Sequence, residues 1–192
     1  MKIYIRNLSK SFNETKVLNG INLELNEGIY LLTGPSGCGK TTFLRILSKL
    51  ESADSGEITD CSMTIMFQEA RLFPWLNVIE NITIPTNCSK AYAMELIDAL
   101  QLNNSEKKYP HELSGGMQRR VSIARTLARK SSLYLFDEPL AGLDRELQKD
   151  VCNVIRNNIS SDSTAIIVSH ETSELIKISD CTLRLTDGKI IF

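Results

Sequence analysis

An α/β fold with a mainly parallel sheet covered on both faces is predicted by three observations. Continuous apolar runs of strand length recur at 29–32 (IYLL), 133–136 (LYLF) and 165–168 (AIIV), as expected of strands buried on both faces. Helical stripes alternate with these runs: Phe43, Ile46, Leu47 and Leu50 share one face, and Leu147, Val151, Val154 and Ile155 share another. A glycine-rich turn joins the first run to the first stripe. Strands and helices alternating in this way build a parallel sheet with helices packed on it.

The elements follow in order. Residues 2–7 and 21–25 read as strands, the second with period-two alternation, and 29–32 follows. A helix is expected over 41–50, then a strand over 63–67 that runs into Gln68. The middle of the chain changes to helical spacing. Ala93, Leu96, Ile97 and Leu100 form one stripe; Met117, Val121, Ala124 and Ala128 form a narrower one, with Arg119, Arg120, Arg125 and Arg129 mostly off that face. The last third returns to strand, helix and strand. The expected organisation is a single domain over 1–192, with a core from 1–67 and 130–192 and a helical subdomain at 68–129.

The 192 residues suffice for one sizeable core. A net charge of -1 and a pI of 6.2 give no general electrostatic reason to expect nucleic acid or an acidic membrane surface as a partner, and no nucleic-acid partner is expected. No apolar run approaches the ~20 residues that span a bilayer. The chain also opens directly on a strand-like segment, so a soluble protein without a leader peptide is expected. The five cysteines (Cys38, Cys61, Cys88, Cys152, Cys181) are scattered without a CxxC pair, which suits reduced thiols better than disulfides or zinc.

The chemistry begins at 34–41, GPSGCGKT, which fits G-x-x-x-x-G-K-[ST]. Backbone N–H groups of Gly34, Pro35, Ser36, Gly37, Cys38 and Gly39, proline excepted, must curl around phosphate oxygens. Glycines are needed where a Cβ would obstruct that approach. The following helix adds its N-terminal dipole. Lys40 supplies a full charge to the β- and γ-phosphates, Thr41 a hydroxyl to Mg²⁺, and Thr42 either reaches the α-phosphate or simply starts the helix. Cys38 occupies a free position in the loop. The apolar strand 133–136 ends in Asp137 and Glu138, at the sheet edge where such folds bind ligands. Asp137 suits the Mg²⁺ shell, and Glu138 suits polarisation of an attacking water.

LSGGMQ at 113–118 resembles the LSGGQ signature of the ATP-binding-cassette (ABC) ATPases. The resemblance extends over essentially the whole chain. It implies a P-loop NTPase (RecA-like) core with antiparallel N-terminal strands and a helical signature subdomain. Phe12 then matches the aromatic that stacks on adenine, with a plain core role as its alternative. Gln68 matches the residue that senses Mg²⁺ and the attacking water, and Asp144 closes a D-loop, LAGLD at 140–144. His170 matches the switch histidine at the γ-phosphate. Ser114, Gly115 and Gly116 would complete the nucleotide site of a second subunit, so that two chains enclose two Mg·ATP.

The stretch 68–78, QEARLFPWLNV, looks like that of ATPases of nitrate, sulfonate and taurine importers. In the family it lines the groove for a permease helix. Arg71, Leu72, Phe73 and Trp75 are therefore expected there, the aromatic pair serving either as docking anchors or as local core. Met117 and the pair Arg119-Arg120 depart from the common pattern. The resemblance implies a cytoplasmic Mg-dependent ATPase, peripheral on the inner face of the membrane. It would energise a separate permease that imports a small anion or organic solute with a solute-binding protein. The alternative is a non-transport ABC ATPase coupled to an envelope or regulatory membrane protein.

Overall fold

A long antiparallel hairpin opens the chain. In the computed structural model, which describes residues 2–170 and 173–192, β1 (Ile3–Phe12) pairs with β2 (Thr15–Leu25), Ile3 opposite Leu25 and Phe12 opposite Thr15. Alternation sends Ile3, Ile5, Leu23 and Leu25 to the buried face. On its other side β1 pairs antiparallel with β4 (Ser55–Ile58). Gly56 sits where the strands come closest: a Cβ there would stand 2.6 Å from the Leu8 Cα.

The second sheet has six strands in the order β5-β6-β7-β3-β8-β9, formed by β3 (Gly28–Thr33), β5 (Met63–Met66), β6 (Leu133–Asp137), β7 (Thr164–Val168), β8 (Cys181–Thr186) and β9 (Lys189–Ile191). β3 lies parallel to β7 and β8, and β6 parallel to β7; the short β9 runs antiparallel to β8. Every residue of β6 and β7 is buried, which is why they read as unbroken apolar runs. The register sets Leu32 and Asp137 both opposite Val168. The residues that follow β3, β6 and β7 therefore emerge at one edge of the sheet. α1 (Lys40–Leu47) packs Phe43, Leu44 and Leu47 into the same core.

Apart from Met66 at the end of β5, these elements belong to one of two compact units, Met1–Ile65 with Ser131–Glu138 and Ser160–Phe192. The other comprises Met66–Lys130 and Pro139–Ile159. It holds α2 (Val78–Thr86), α3 (Lys90–Ala99), α4 (Gly115–Ala128) and α5 (Arg145–Asn158). Its buried side chains include Ile82, Leu96, Ile97, Val121 and Leu127. No helix among the described residues is long and apolar enough to cross a membrane.

The helix expected over 41–50 ends early. α1 stops at Leu47, Lys49 turns left-handed at φ 58°, and the Leu50 N–H bonds to the Arg45 carbonyl. Leu50 is consequently 58% exposed rather than part of the stripe. The first strand runs five residues beyond its expected end at 7, because a left-handed Asn7 absorbs a register shift and lets pairing with β2 resume.

Candidate functional site

The turn from β3 to α1 is held open by contacts that only glycine permits. Gly34 has φ 148°, and a Cβ there would stand 2.3 Å from the Leu185 carbonyl oxygen on β8. Gly39 has φ 106°, with its would-be Cβ 2.6 Å from Val17 Cγ1 on β2. The loop is thus clasped between two strands while Pro35, Ser36 and Gly37 stay exposed. α1 begins with no side-chain cap and no acid in its first turn. No side chain of the helix itself competes for its N-terminal N–H groups and dipole, as an anion site requires. Lys40 is buried, and its Nζ donates to the carbonyls of Gly34 (2.8 Å) and Pro35 (2.9 Å). The ammonium is thereby stretched across the loop, with Cys38 Sγ 4.0 Å away.

The acid pair stands at the same sheet edge. Asp137 is buried, and Thr41 Oγ1 donates to its Oδ2 at 3.1 Å. Burial pushes its carboxyl pKa up, beyond what the Thr41 hydrogen bond and the charge of Lys40 offset. A buried carboxylate held at a disfavoured charge, beside a hydroxyl, is a donor set that fits a hard cation.

Glu138 is left-handed at φ 52°, and its N–H donates to the Val168 carbonyl at 2.8 Å. For a residue other than glycine that conformation costs of order ~1–3 kcal/mol and is found where surrounding structure imposes it. The twist sets its carboxylate toward the end of β7. There Ser169 Oγ donates to Oε2 at 3.0 Å, and His170 Nε2 lies 3.7 Å from Oε1. The His170 side chain is 67% exposed. It lines, with Thr33, Gly34 and Arg184, a cavity of about 290 Å³. Ser169 was not among the residues expected from sequence; its only signal is its place before His170 at the strand end.

Phe12 is 45% exposed, so its alternative as a core residue is excluded. It closes the hairpin whose Val17 touches the phosphate loop.

The helical unit carries the remaining expected residues. Ser114 caps α4, its Oγ accepting the Met117 N–H at 3.2 Å, with Gly115 and Gly116 opening the helix and no acid in its first turn. Gly116 lies beside Leu143 of the segment that ends in Asp144, which itself caps α5 through the Leu147 N–H at 2.9 Å. Gln68 is exposed, and its carbonyl accepts from Arg119 at 3.1 Å.

The segment after Gln68 is held by residues that sequence reading left without a role. Arg125 donates to the carbonyls of Ala70 (2.9 Å) and Arg71 (3.0 Å), and its burial lowers its pKa. Asn81, fully buried, accepts the Phe73 N–H and donates to the carbonyls of Phe73, Leu76 and Asn77. The segment so fixed leaves Trp75 70% exposed, with its ring 5.7 Å from that of Phe73. Local core packing is therefore excluded for Trp75. The five cysteines are free, and no cluster of three metal-ligating side chains occurs among the described residues.

Comparison with known proteins identifies the family. The sequence pattern of the family described as ABC transporter matches residues 18–141. The chain is 37% identical to the L-cystine transport system ATP-binding protein TcyN of Escherichia coli (strain K12), over 98% of this chain and 88% of that protein. It is 36% identical to the aliphatic sulfonates import ATP-binding protein SsuB of Albidiferax ferrireducens, over 98% and 72%. Among solved structures, the dimeric post-hydrolysis state of the ATP-binding cassette MJ0796 bound to ADP and Pi superposes with a TM-score of 0.87 at 25% identity, over 99% of this chain and 97% of that one.

Proposed function

This chain belongs to the ABC transporter family, and we propose that it is the ATP-hydrolysing subunit that energises solute import through a separate membrane permease. The observation that carries the reading is the cluster at one sheet edge: an uncapped helix N-terminus, Lys40, Thr41 bonded to Asp137, and Glu138 turned toward Ser169 and His170.

In this reading the loop from Gly34 to Gly39, with Thr42, receives the phosphates, and Lys40 exchanges its two carbonyl partners for β- and γ-phosphate oxygens. Thr41 and Asp137 hold Mg²⁺, and the family resemblance assigns Gln68 to the same ion. When bound, Mg²⁺ neutralises charge on the transferred phosphoryl group. Glu138 orients and deprotonates the attacking water, with Ser169 fixing one of its oxygens so that the other faces the reaction. His170 adds a contact to the γ-phosphate. Phe12 takes the base. Positioning and charge stabilisation dominate phosphoryl transfer, which is the contribution such a preset constellation makes.

Family likeness to a dimeric cassette supports a pair of chains, with Ser114, Gly115 and Gly116 closing on the nucleotide of the other copy and Asp144 at the boundary. The exposed Trp75, with Phe73, Leu72 and Arg71 on a segment braced by Asn81 and Arg125, supports docking of a permease helix there. In this reading the chain works peripherally on the cytoplasmic face of a membrane, and the full system includes a solute-binding protein. We read 1–192 as one ABC ATPase domain, core plus helical subdomain.

The test is affinity capture of the tagged chain from detergent-solubilised native membranes. Recovery of a multi-span permease, whose presence raises ATP turnover, is the expected result. Recovery of only a few-span envelope protein would overturn the transport assignment in favour of a regulatory ATPase.

A further inference from the structure

Beneath Phe12 lies a charge that the site described above does not use. Lys10, two residues earlier on β1, is only 9% exposed. Its Nζ stands 5.0 Å from the centroid of the Phe12 ring, within the ~6 Å at which an ammonium and an aromatic face attract. Three groups of the segment before β4 hold it there: Glu51 Oε1 at 2.7 Å, the Ser52 carbonyl at 2.7 Å and Asp54 Oδ1 at 3.6 Å. Asp54 also grips the strand itself. Its Oδ2 accepts the Ser11 N–H at 2.6 Å, and its own N–H donates to the Ser9 carbonyl at 2.9 Å.

Lysine is among the side chains least often buried, and taking its charge from water is unfavourable unless it is paired. Here the hydrogen bond that it donates to Glu51 raises its pKa, so it stays an ammonium at neutral pH. The arrangement fixes a cation against one face of a ring that is 45% exposed. An ammonium on that face draws π density toward itself and depletes the opposite face. A depleted face is the better partner for the electron-rich face of a purine. The clamp by residues 51–54 also sets where the end of β1 lies, and hence where the ring stands.

We propose that Lys10 is a positioning residue for the nucleotide base, orienting and polarising the Phe12 ring through a clamp formed by Glu51, Ser52 and Asp54. The proposal rests on the reading of Phe12 as the aromatic that takes the base. It distinguishes the base half of the nucleotide site, built on the hairpin, from the phosphate half built on the glycine loop.

Binding of ATP and of inorganic tripolyphosphate, each with Mg²⁺, is measured by calorimetry for the wild type, Lys10→Met, Lys10→Arg, Glu51→Gln, Phe12→Leu and the Lys10→Met/Phe12→Leu double variant. Lys10→Met is expected to weaken ATP about 3- to 10-fold and to leave tripolyphosphate unchanged. Lys10→Arg should restore most of the ATP affinity. In the Phe12→Leu background, Lys10→Met should cost nothing further. Should Lys10→Met lose too much stability to measure, Glu51→Gln, which keeps the cation and loosens its anchor, is expected to show the same selective loss in smaller degree. An equal loss of ATP and tripolyphosphate affinity, or an undiminished effect of Lys10→Met without the Phe12 ring, would overturn the proposal while leaving Phe12 in place. If Phe12→Leu itself left ATP binding unchanged, the reading of Phe12 would fall, and the role of Lys10 with it.

Discussion

Asn81 is predicted to hold the Trp75 segment in shape, and replacing it tests that directly. Its amide carbonyl accepts the Phe73 N–H at 2.8 Å, and its Nδ2 donates to the carbonyls of Leu76 (2.8 Å), Phe73 (3.1 Å) and Asn77 (3.1 Å). In Asn81→Ala the Phe73 carbonyl keeps the Leu76 N–H and the Asn77 carbonyl keeps the Asn81 N–H. The Phe73 N–H and the Leu76 carbonyl lose the Asn81 side chain. Two polar groups deprived of a buried partner at ~1 kcal/mol or more each, together with the space vacated by a fully buried side chain, give a loss of ~2–4 kcal/mol. For a chain of this size that lowers Tm by roughly 5–15 °C. Asn81→Asp keeps the volume and the acceptor but sets a carboxylate against three carbonyls, so it should be at least as destabilising. Trp75 is the only tryptophan, so its fluorescence anisotropy and acrylamide quenching report on the segment without labelling. Both variants should unfold at lower urea concentration and show a more mobile Trp75. Wild-type stability and unchanged anisotropy in Asn81→Ala would refute the reasoning.

Other outcomes follow from the same geometry. Asp137 has its pKa raised by burial, so the folded nucleotide-free chain binds more protons than the unfolded one above the ordinary value of 3.8 and loses stability as pH rises through the raised pKa. Asp137→Asn should remove that contribution, making the free chain more stable at neutral pH while abolishing turnover; pH-dependent urea melts and ATPase assays check the two halves. Trp75→Ala, at a 70% exposed position, should leave stability within about 0.5 kcal/mol and basal turnover unchanged, yet weaken association with the solubilised permease about tenfold or more.

Legibility from sequence followed the kind of constraint involved. The phosphate loop and the acid pair were readable because their chemistry admits few residue types at fixed spacing, and strands β3, β6 and β7 were readable because burial on both faces leaves unbroken apolar runs. α2 carries no such signal. It contains Val78, Ile79, Ile82, Thr83, Ile84 and Thr86, a β-branched set that favours strands, and Pro85 as well. It becomes a helix through tertiary and capping interactions: Asn77 and Glu80 form a reciprocal capping box, and Asn81 ties its first turn to the preceding segment. Leu50 misled for the opposite reason, continuing the apolar spacing of α1 past the point where Lys49 turns the chain. The supporting residues of the site were hidden because their partners are distant along the chain. Lys10 meets Glu51, Arg125 meets Ala70 and Ser169 meets Glu138, and nothing in the local pattern around any of them announces the pairing.

The central claim, that this chain hydrolyses ATP with Glu138 at the attacking water, is tested most directly by steady-state phosphate release and ATP binding for the wild type and Glu138→Gln. The amide keeps the shape and the Ser169 contact but cannot take a proton, so turnover should fall by a factor of ~10²–10⁴ with ATP affinity retained and the dimer favoured. Near-normal turnover in Glu138→Gln would contradict the account.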